Sequence, residues 1–173
     1  DICADLVENG AEVTMVQRSS THIVRSDSLM DLVFGGLYSE DALESGLTTD
    51  KADMLFASIP YKVMPSFHQP VFAAIKERDK DFYERLTKAG FMLDFGDDES
   101  GLFMKYVRRG SGYYIDVGAS ELIANGTIKL KSAPGLGVER IEADAVVLND
   151  GSRLPADLIV YATGYGSMNG WAA

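Results

Sequence analysis

The sequence is poor in the residues that mark redox and metal chemistry: it has one cysteine, Cys3, and two histidines, His22 and His68. A single thiol makes no intramolecular disulfide, and neither histidine stands in a metal-ligating spacing. No run of about 18 apolar residues is present, so the chain is expected to be soluble, with no membrane partner. Basic residues are outnumbered, 16 Lys and Arg against 26 Asp and Glu, for a net charge of −10. Such a balance repels phosphate backbones and anionic lipid, which argues against a nucleic-acid partner. With no basic, then apolar, leader-like stretch at its start, the expected compartment is cytoplasmic. Enough remains for one sizeable core, since 46% of residues are apolar, and disordered or collagen-like chains are excluded.

Residues 1–10 read as a helix: Ile2 and Leu6, and Cys3 and Val7, recur at i,i+4, and Asn9-Gly10 supplies a stop. Glu12 to Gln17 reads as a short β-branched strand, followed by the polar loop Arg18-Ser19-Ser20-Thr21. Helix, glycine turn, strand and polar loop make half of a βαβ unit. Because the helix starts with the chain, the sequence is expected to be a fragment of a longer protein, with the preceding strand and phosphate turn upstream.

Residues 27–100 carry 15 acids and seven bases, so most of the negative charge lies there. The prolines Pro60, Pro65 and Pro70 predict breaks, Asp50 to Ala57 a helix, and Val71, Ile75, Phe82, Leu86 and Ala89 a longer one ending at Gly90. From Gly110 short strands return, at Tyr113 to Val117, Thr127 to Lys131, Gly137 to Glu142 and Ala145 to Leu148, with a helical turn at Ala119 to Ala124. Asn149-Asp150-Gly151-Ser152 predicts a tight hairpin, and Leu158 to Ala162 a strand buried on both faces. The expected fold class is therefore α/β, a partial Rossmann-like domain with a mostly helical insertion.

Arg18 follows the second strand of the expected βαβ unit, where a dinucleotide fold faces the adenosine ribose. An acid there accepts from the 2′-hydroxyl of NAD, whereas an arginine accommodates the extra phosphate of NADP. Arg18 with Ser19, Ser20 and Thr21 offers a cation and three hydroxyls, a phosphate clamp or else a solvated loop after an edge strand. Thr163 and Gly164 follow the last strand, where glycine permits close approach of a ligand or simply makes a turn.

Together, Asp1-Ile-Cys-Ala-Asp-Leu6 through Val13-Thr-Met-Val-Gln-Arg18-Ser-Ser20 and Asp157-Leu-Ile-Val-Tyr-Ala-Thr-Gly-Tyr165 resemble the flavin-containing monooxygenase family, which includes the Baeyer-Villiger enzymes. Gly112-Tyr-Tyr-Ile-Asp-Val-Gly118 and Ile128-Lys-Leu-Lys131 resemble the end of that family's central insertion. The resemblance implies three stretches: a partial NADP-binding βαβ unit over 1–26, a mostly helical insertion over 27–109, and the remaining strands with an Ala-Thr-Gly linker over 110–173. It also implies that NADPH reduces FAD and that a flavin hydroperoxide, formed with O2, oxygenates a small organic substrate. Arg18, Ser19 and Ser20 match the 2′-phosphate contacts, and Thr163 and Gly164 the cofactor-adjacent turn. No Gly-x-Gly-x-x-Gly motif occurs in the sequence, so catalysis by this chain alone is not expected and no catalytic residue is assigned.

Two alternatives remain. A pyridine-nucleotide flavoprotein reductase shares the two-dinucleotide plan, although the disulfide-reducing type needs paired cysteines. A non-catalytic module would self-associate into a homo-oligomer through the unpaired edge beside Glu12 to Gln17. Asp94, Asp97, Asp98 and Glu99 read as a solvated acidic turn rather than a calcium loop. Lys105, Arg108 and Arg109, interleaved with Phe103 and Tyr106, read as a reply to the acidic insertion rather than as a grip on a cofactor phosphate. Phe67, Phe72, Phe82, Tyr83, Phe91 and Phe95 read as core.

Overall fold

The computed structural model describes residues 1–164. The chain divides into two compact units, Asp1–Gly135 and Leu136–Ala173. The architecture mixes helices with small parallel and antiparallel sheets.

In the first unit, α1 (Ile2–Glu8) presses Cys3, Leu6 and Val7 against a core cluster and stops where Asn9-Gly10 predicts. There Gly10 takes a positive φ of 82°, and the Ala11 N–H donates to the Leu6 carbonyl at 2.9 Å. β1 (Thr14–Gln17) follows, then β2 (His22–Arg25). The second strand has no counterpart in the sequence reading. His22, Ile23 and Val24 are all buried, so the alternation that betrays a half-buried strand is missing.

Every regular element from Ser26 to Arg109 is helical: α2 (Ser26–Leu29), a π-helical turn Met30–Phe34, α3 (Gly35–Tyr38), α4 (Glu40–Glu44), α5 (Thr49–Ala57), α6 (Met64–Arg78), α7 (Lys80–Lys88) and α8 (Gly101–Arg109). Two breaks fall elsewhere than the sequence suggests. Pro70 lies inside α6 instead of ending a segment. Its missing N–H and ring clash cost about 3 kcal/mol, but Phe72 and Ile75, on the same helix just beyond it, are fully buried at about 1.5–3 kcal/mol each. The helix therefore runs through the proline. The apolar stripe from Val71 to Ala89 is instead divided at Asp79, between α6 and α7. Gly90, with φ at 91°, ends α7 as expected.

β3 (Tyr113–Asp116), α9 (Ala119–Ala124) and β4 (Lys129–Ser132) complete this unit. β1 pairs in parallel with β4, Thr14 opposite Lys129, and β2 pairs in parallel with β3, His22 opposite Tyr113. Two clusters form the core. One joins Val13, Ile23, Phe82, Tyr83, Leu86, Phe91, Ala119, Ile123 and Ile128; the other joins Val24, Leu29, Phe72, Ile75 and Leu102. Each mixes strand residues with residues of the helical stretch. Of the aromatics read as core, Phe67 is the exception, 55% exposed. Gly101 is required where it stands: its φ is 70°, and a Cβ there would collide with the Phe72 ring.

The second unit holds an antiparallel meander, β5 (Val138–Ile141), β6 (Ala145–Leu148) and β7 (Arg153–Pro155). β6 is buried throughout, and the Asn149–Ser152 turn joins it to β7 with Gly151 at φ 84°. The strand expected at Leu158 to Ala162 does not form, and Leu158, Val160 and Tyr161 are exposed. Apolar, β-prone residues become a strand only against a partner, and none of the described strands pairs with this segment. Among the described residues no helix is long and apolar enough to cross a membrane.

Candidate functional site

The Arg18–Ser20 loop is held by what lies on either side of it. Gln17, the buried last residue of β1, uses its side-chain amide as a strand would use its backbone. Nε2 donates to the Met92 carbonyl at 3.0 Å, and Oε1 accepts from the Met92 N–H at 2.9 Å. Beyond the loop, the Thr21 N–H donates to the same carbonyl at 2.9 Å, and the Asp94 N–H donates to the Thr21 carbonyl at 3.3 Å. Three exposed residues therefore stand at the carboxyl end of a parallel strand, fixed at both ends. The Arg18 carbonyl accepts from Gly135 at 3.0 Å, and its guanidinium has no partner among the described residues.

Ser20 differs from its two neighbours. It borders a cavity of about 130 Å³ between the 94–100 turn and α8, and its hydroxyl is near enough to the Asp94 carboxylate to help hold it ionised. That carboxylate also receives the Gly96 N–H at 2.8 Å and the Lys105 ammonium. Burial pushes the Asp94 carboxyl up, but the Lys105 ammonium, the nearby Ser20 hydroxyl and the Gly96 N–H outweigh it and hold it below the ordinary value.

Lys105 is buried although charged, because positions 101, 102, 104 and 105 of α8 all face inward. One turn on, Arg108 donates to Asp98 at 2.7 Å and Arg109 to Asp97 at 3.2 Å. The Arg108 bond holds the Asp98 carboxyl far below its usual range against a smaller push from burial, with the Ser100 N–H and hydroxyl adding to it. All three cations of α8 thus answer the acidic turn, and an anion entering this cavity would compete with three carboxylates.

Beneath the turn, His22 lies between the edges of Phe72 and Phe95, with ring centroids 5.2 and 5.1 Å away. Its Nδ1 sits 3.1 Å from the Asp94 carbonyl, and its Nε2 is buried without a partner. Burial lowers its pKa to about 4, with the Asp94 carbonyl opposing and the Lys105 charge assisting. His22 and His68 are both core residues, and no metal-binding group of His, Cys, Asp or Glu occurs among the described residues.

Of the residues that sequence singles out, Arg18, Ser19 and Ser20 share one loop, and Ser20 alone of the three borders the cavity. Thr163 and Gly164 belong to the second unit and are exposed, Gly164 with φ at 78°; Tyr165 lies outside the described residues. The link between Asp94, Ser20 and Lys105 is absent from the sequence reading. Its signal was a lysine inside the apolar stripe Leu102, Met104, Lys105, a position that demands a buried counter-charge. No protein-family model matches the chain, and no curated protein matches it either.

Proposed function

We propose that this chain carries the NADP-binding part of an NADPH- and FAD-dependent monooxygenase acting on a small organic substrate with O2, in a Rossmann-like setting. The observation that carries the reading is Arg18, a guanidinium with no partner among the described residues, exposed at the carboxyl end of a parallel strand with Ser19 beside it. Ligands of open α/β sheets lie outside that end of the strands, and an arginine there suits a 2′-phosphate. Arg18 and Ser19 fit this group. Ser20 contributes less, because its hydroxyl lies beside the Asp94 carboxylate, which repels a phosphate. Thr163 and Gly164 enter only through the family resemblance.

FAD is a different matter. The sequence offers no Gly-x-Gly-x-x-Gly turn to cradle its pyrophosphate, so no flavin step is assigned to residues of this chain. Titration of the purified protein with NADP and with NAD tests the reading. NADP is expected to bind more tightly, and Arg18→Ala to weaken it by about 10- to 100-fold, the worth of one charge-assisted phosphate contact. Equal affinity for the two nucleotides, or an unchanged NADP affinity in Arg18→Ala, overturns it.

A second reading, a self-associating module, is favoured by one feature. Among the described residues β1 and β4 form a sheet of two strands, and no third strand there pairs with the outer edge of either. Light scattering across a concentration series decides it, with a concentration-independent monomer as the adverse result.

A further inference from the structure

β2 and β3 run parallel and end in register, Arg25 opposite Asp116. Outside these carboxyl ends, between them and α7, opens a cavity of about 280 Å³ that none of the residues discussed so far as cofactor contacts lines. Three arginines and four carboxylates border it. Most are already committed: Arg78 donates to Asp31 at 2.8 Å, and Arg85 holds both Asp81 at 3.2 Å and Glu121 at 2.6 Å. Asp116 uses Oδ1 to accept the Gly118 and Ser120 N–H groups, at 3.3 and 3.1 Å.

Arg25 and Asp79 are the exceptions. Arg25 comes no nearer to Asp79 than 3.7 Å, beyond hydrogen-bond distance, and is otherwise steadied by the Phe82 ring 5.9 Å from its Cζ. Its side chain is about half exposed, whereas that of Asp79 is 2% exposed, and Asp79 Oδ2 has no hydrogen-bond partner. A buried carboxylate needs donors, and a guanidinium fork needs a planar acceptor. At this strand edge neither is fully supplied by the protein.

We propose that this cavity binds a small zwitterion of the α-amino acid class. The carboxylate takes the fork of Arg25, drawing it off Asp79, and the ammonium enters beside Asp79 and Asp116. A simple anion is disfavoured, because carboxylates outnumber arginines around the cavity, and a simple cation leaves Arg25 unsatisfied. The site is independent of the Arg18 loop, so its failure leaves the NADP reading untouched.

L-alanine is the probe, with the ¹⁵N-labelled protein read by NMR at the Arg25 Nε–H. The expected result is a saturable shift, with binding at least about tenfold weaker for N-acetyl-L-alanine, which lacks the ammonium, and for L-alaninamide, which lacks the carboxylate. Arg25→Lys, which keeps the charge and loses the fork, is expected to weaken L-alanine by a similar factor. Absence of saturation up to the solubility limit overturns the proposal, as does binding of either analogue as tightly as L-alanine. Equal binding by a folded Arg25→Lys does the same. Should that variant melt early, the analogue series on the unaltered protein decides.

Discussion

At the 94–98 turn each cation of α8 reaches a carboxylate, two at 2.7 and 3.2 Å and the third, Lys105, in closer contact still, whereas at the β2–β3 edge Arg25 stops 3.7 Å short of Asp79. Both clusters set cations against carboxylates; the geometry differs. In the first cluster a helix presents Lys105, Arg108 and Arg109 on one face at i, i+3 and i+4, opposite acids whose turn is itself tied down by backbone N–H groups. In the second, apart from the α7 pair Arg85 and Asp81, arginines and acids come from different parts of the fold and only some of them meet. Closed pairing makes scaffold, and incomplete pairing leaves donors and acceptors for something else.

The largest effect is expected from breaking the closed cluster at its centre. Lys105→Ala leaves Asp94 with no counter-charge in a partly buried site, and urea titration should register a loss of about 3 kcal/mol. Acid should act on the same place. The folded pKa of His22 is about 4 against 6.5 unfolded, so the unfolded state takes up a proton first. Its contribution is fully present above about pH 6.5 and is lost as pH falls towards 4, on the order of 3 kcal/mol in all. Asp94 and Asp98, both held below the ordinary carboxylate value, extend the loss to lower pH with the same sign. His22→Phe should flatten the window between pH 6.5 and 4, and an unchanged slope there would assign the effect elsewhere.

Next comes Gly101→Ala at the start of α8, which combines a positive φ with a collision against Phe72 and should cost about 2 kcal/mol by thermal unfolding. Gln17→Leu removes both amide bonds to Met92 and is expected to lose about 1–3 kcal/mol. If the loop is the NADP contact, that variant also weakens NADP, which separates a positioning role from simple destabilisation. Arg85→Ala, at the open cluster, removes two exposed ion pairs and should leave the urea midpoint unchanged. A clear drop there would erase the distinction between the two clusters.

How far the sequence speaks for itself depends on whether its signals are local. The α1 stop at Asn9-Gly10, α9, β6 and its hairpin all depend on neighbours in the chain, and each forms where expected. β2 and the segment Leu158–Ala162 fail in opposite directions for one reason. The first is a strand because β3 and the core enclose it; the second has strand composition but no described partner. Pro70 sits inside a helix against its local propensity because the burial of Phe72 and Ile75, a tertiary effect, offsets the loss. At the candidate site the Arg18–Ser20 loop was legible from its place after β1. Both halves of the acid–base cluster were visible too, but Lys105 with Asp94 is a tertiary fact. The cavity at the β2–β3 edge left no trace, since its decisive pair, Arg25 and Asp79, is brought together by folding.

Gln17 has a consequence for the order of assembly. It lies 75 positions from Met92 in the chain, so its amide finds both partners only after the whole helical stretch between them has packed back onto β1. Loop closure over that span is paid for late in folding, when it is rewarded by neighbouring contacts. The Met92 amide hydrogen, held by one side chain in place of a strand, is therefore a timer. In pulsed hydrogen exchange it should gain protection after the hydrogens inside α6 and α7, and until it does the Arg18 loop has no fixed shape.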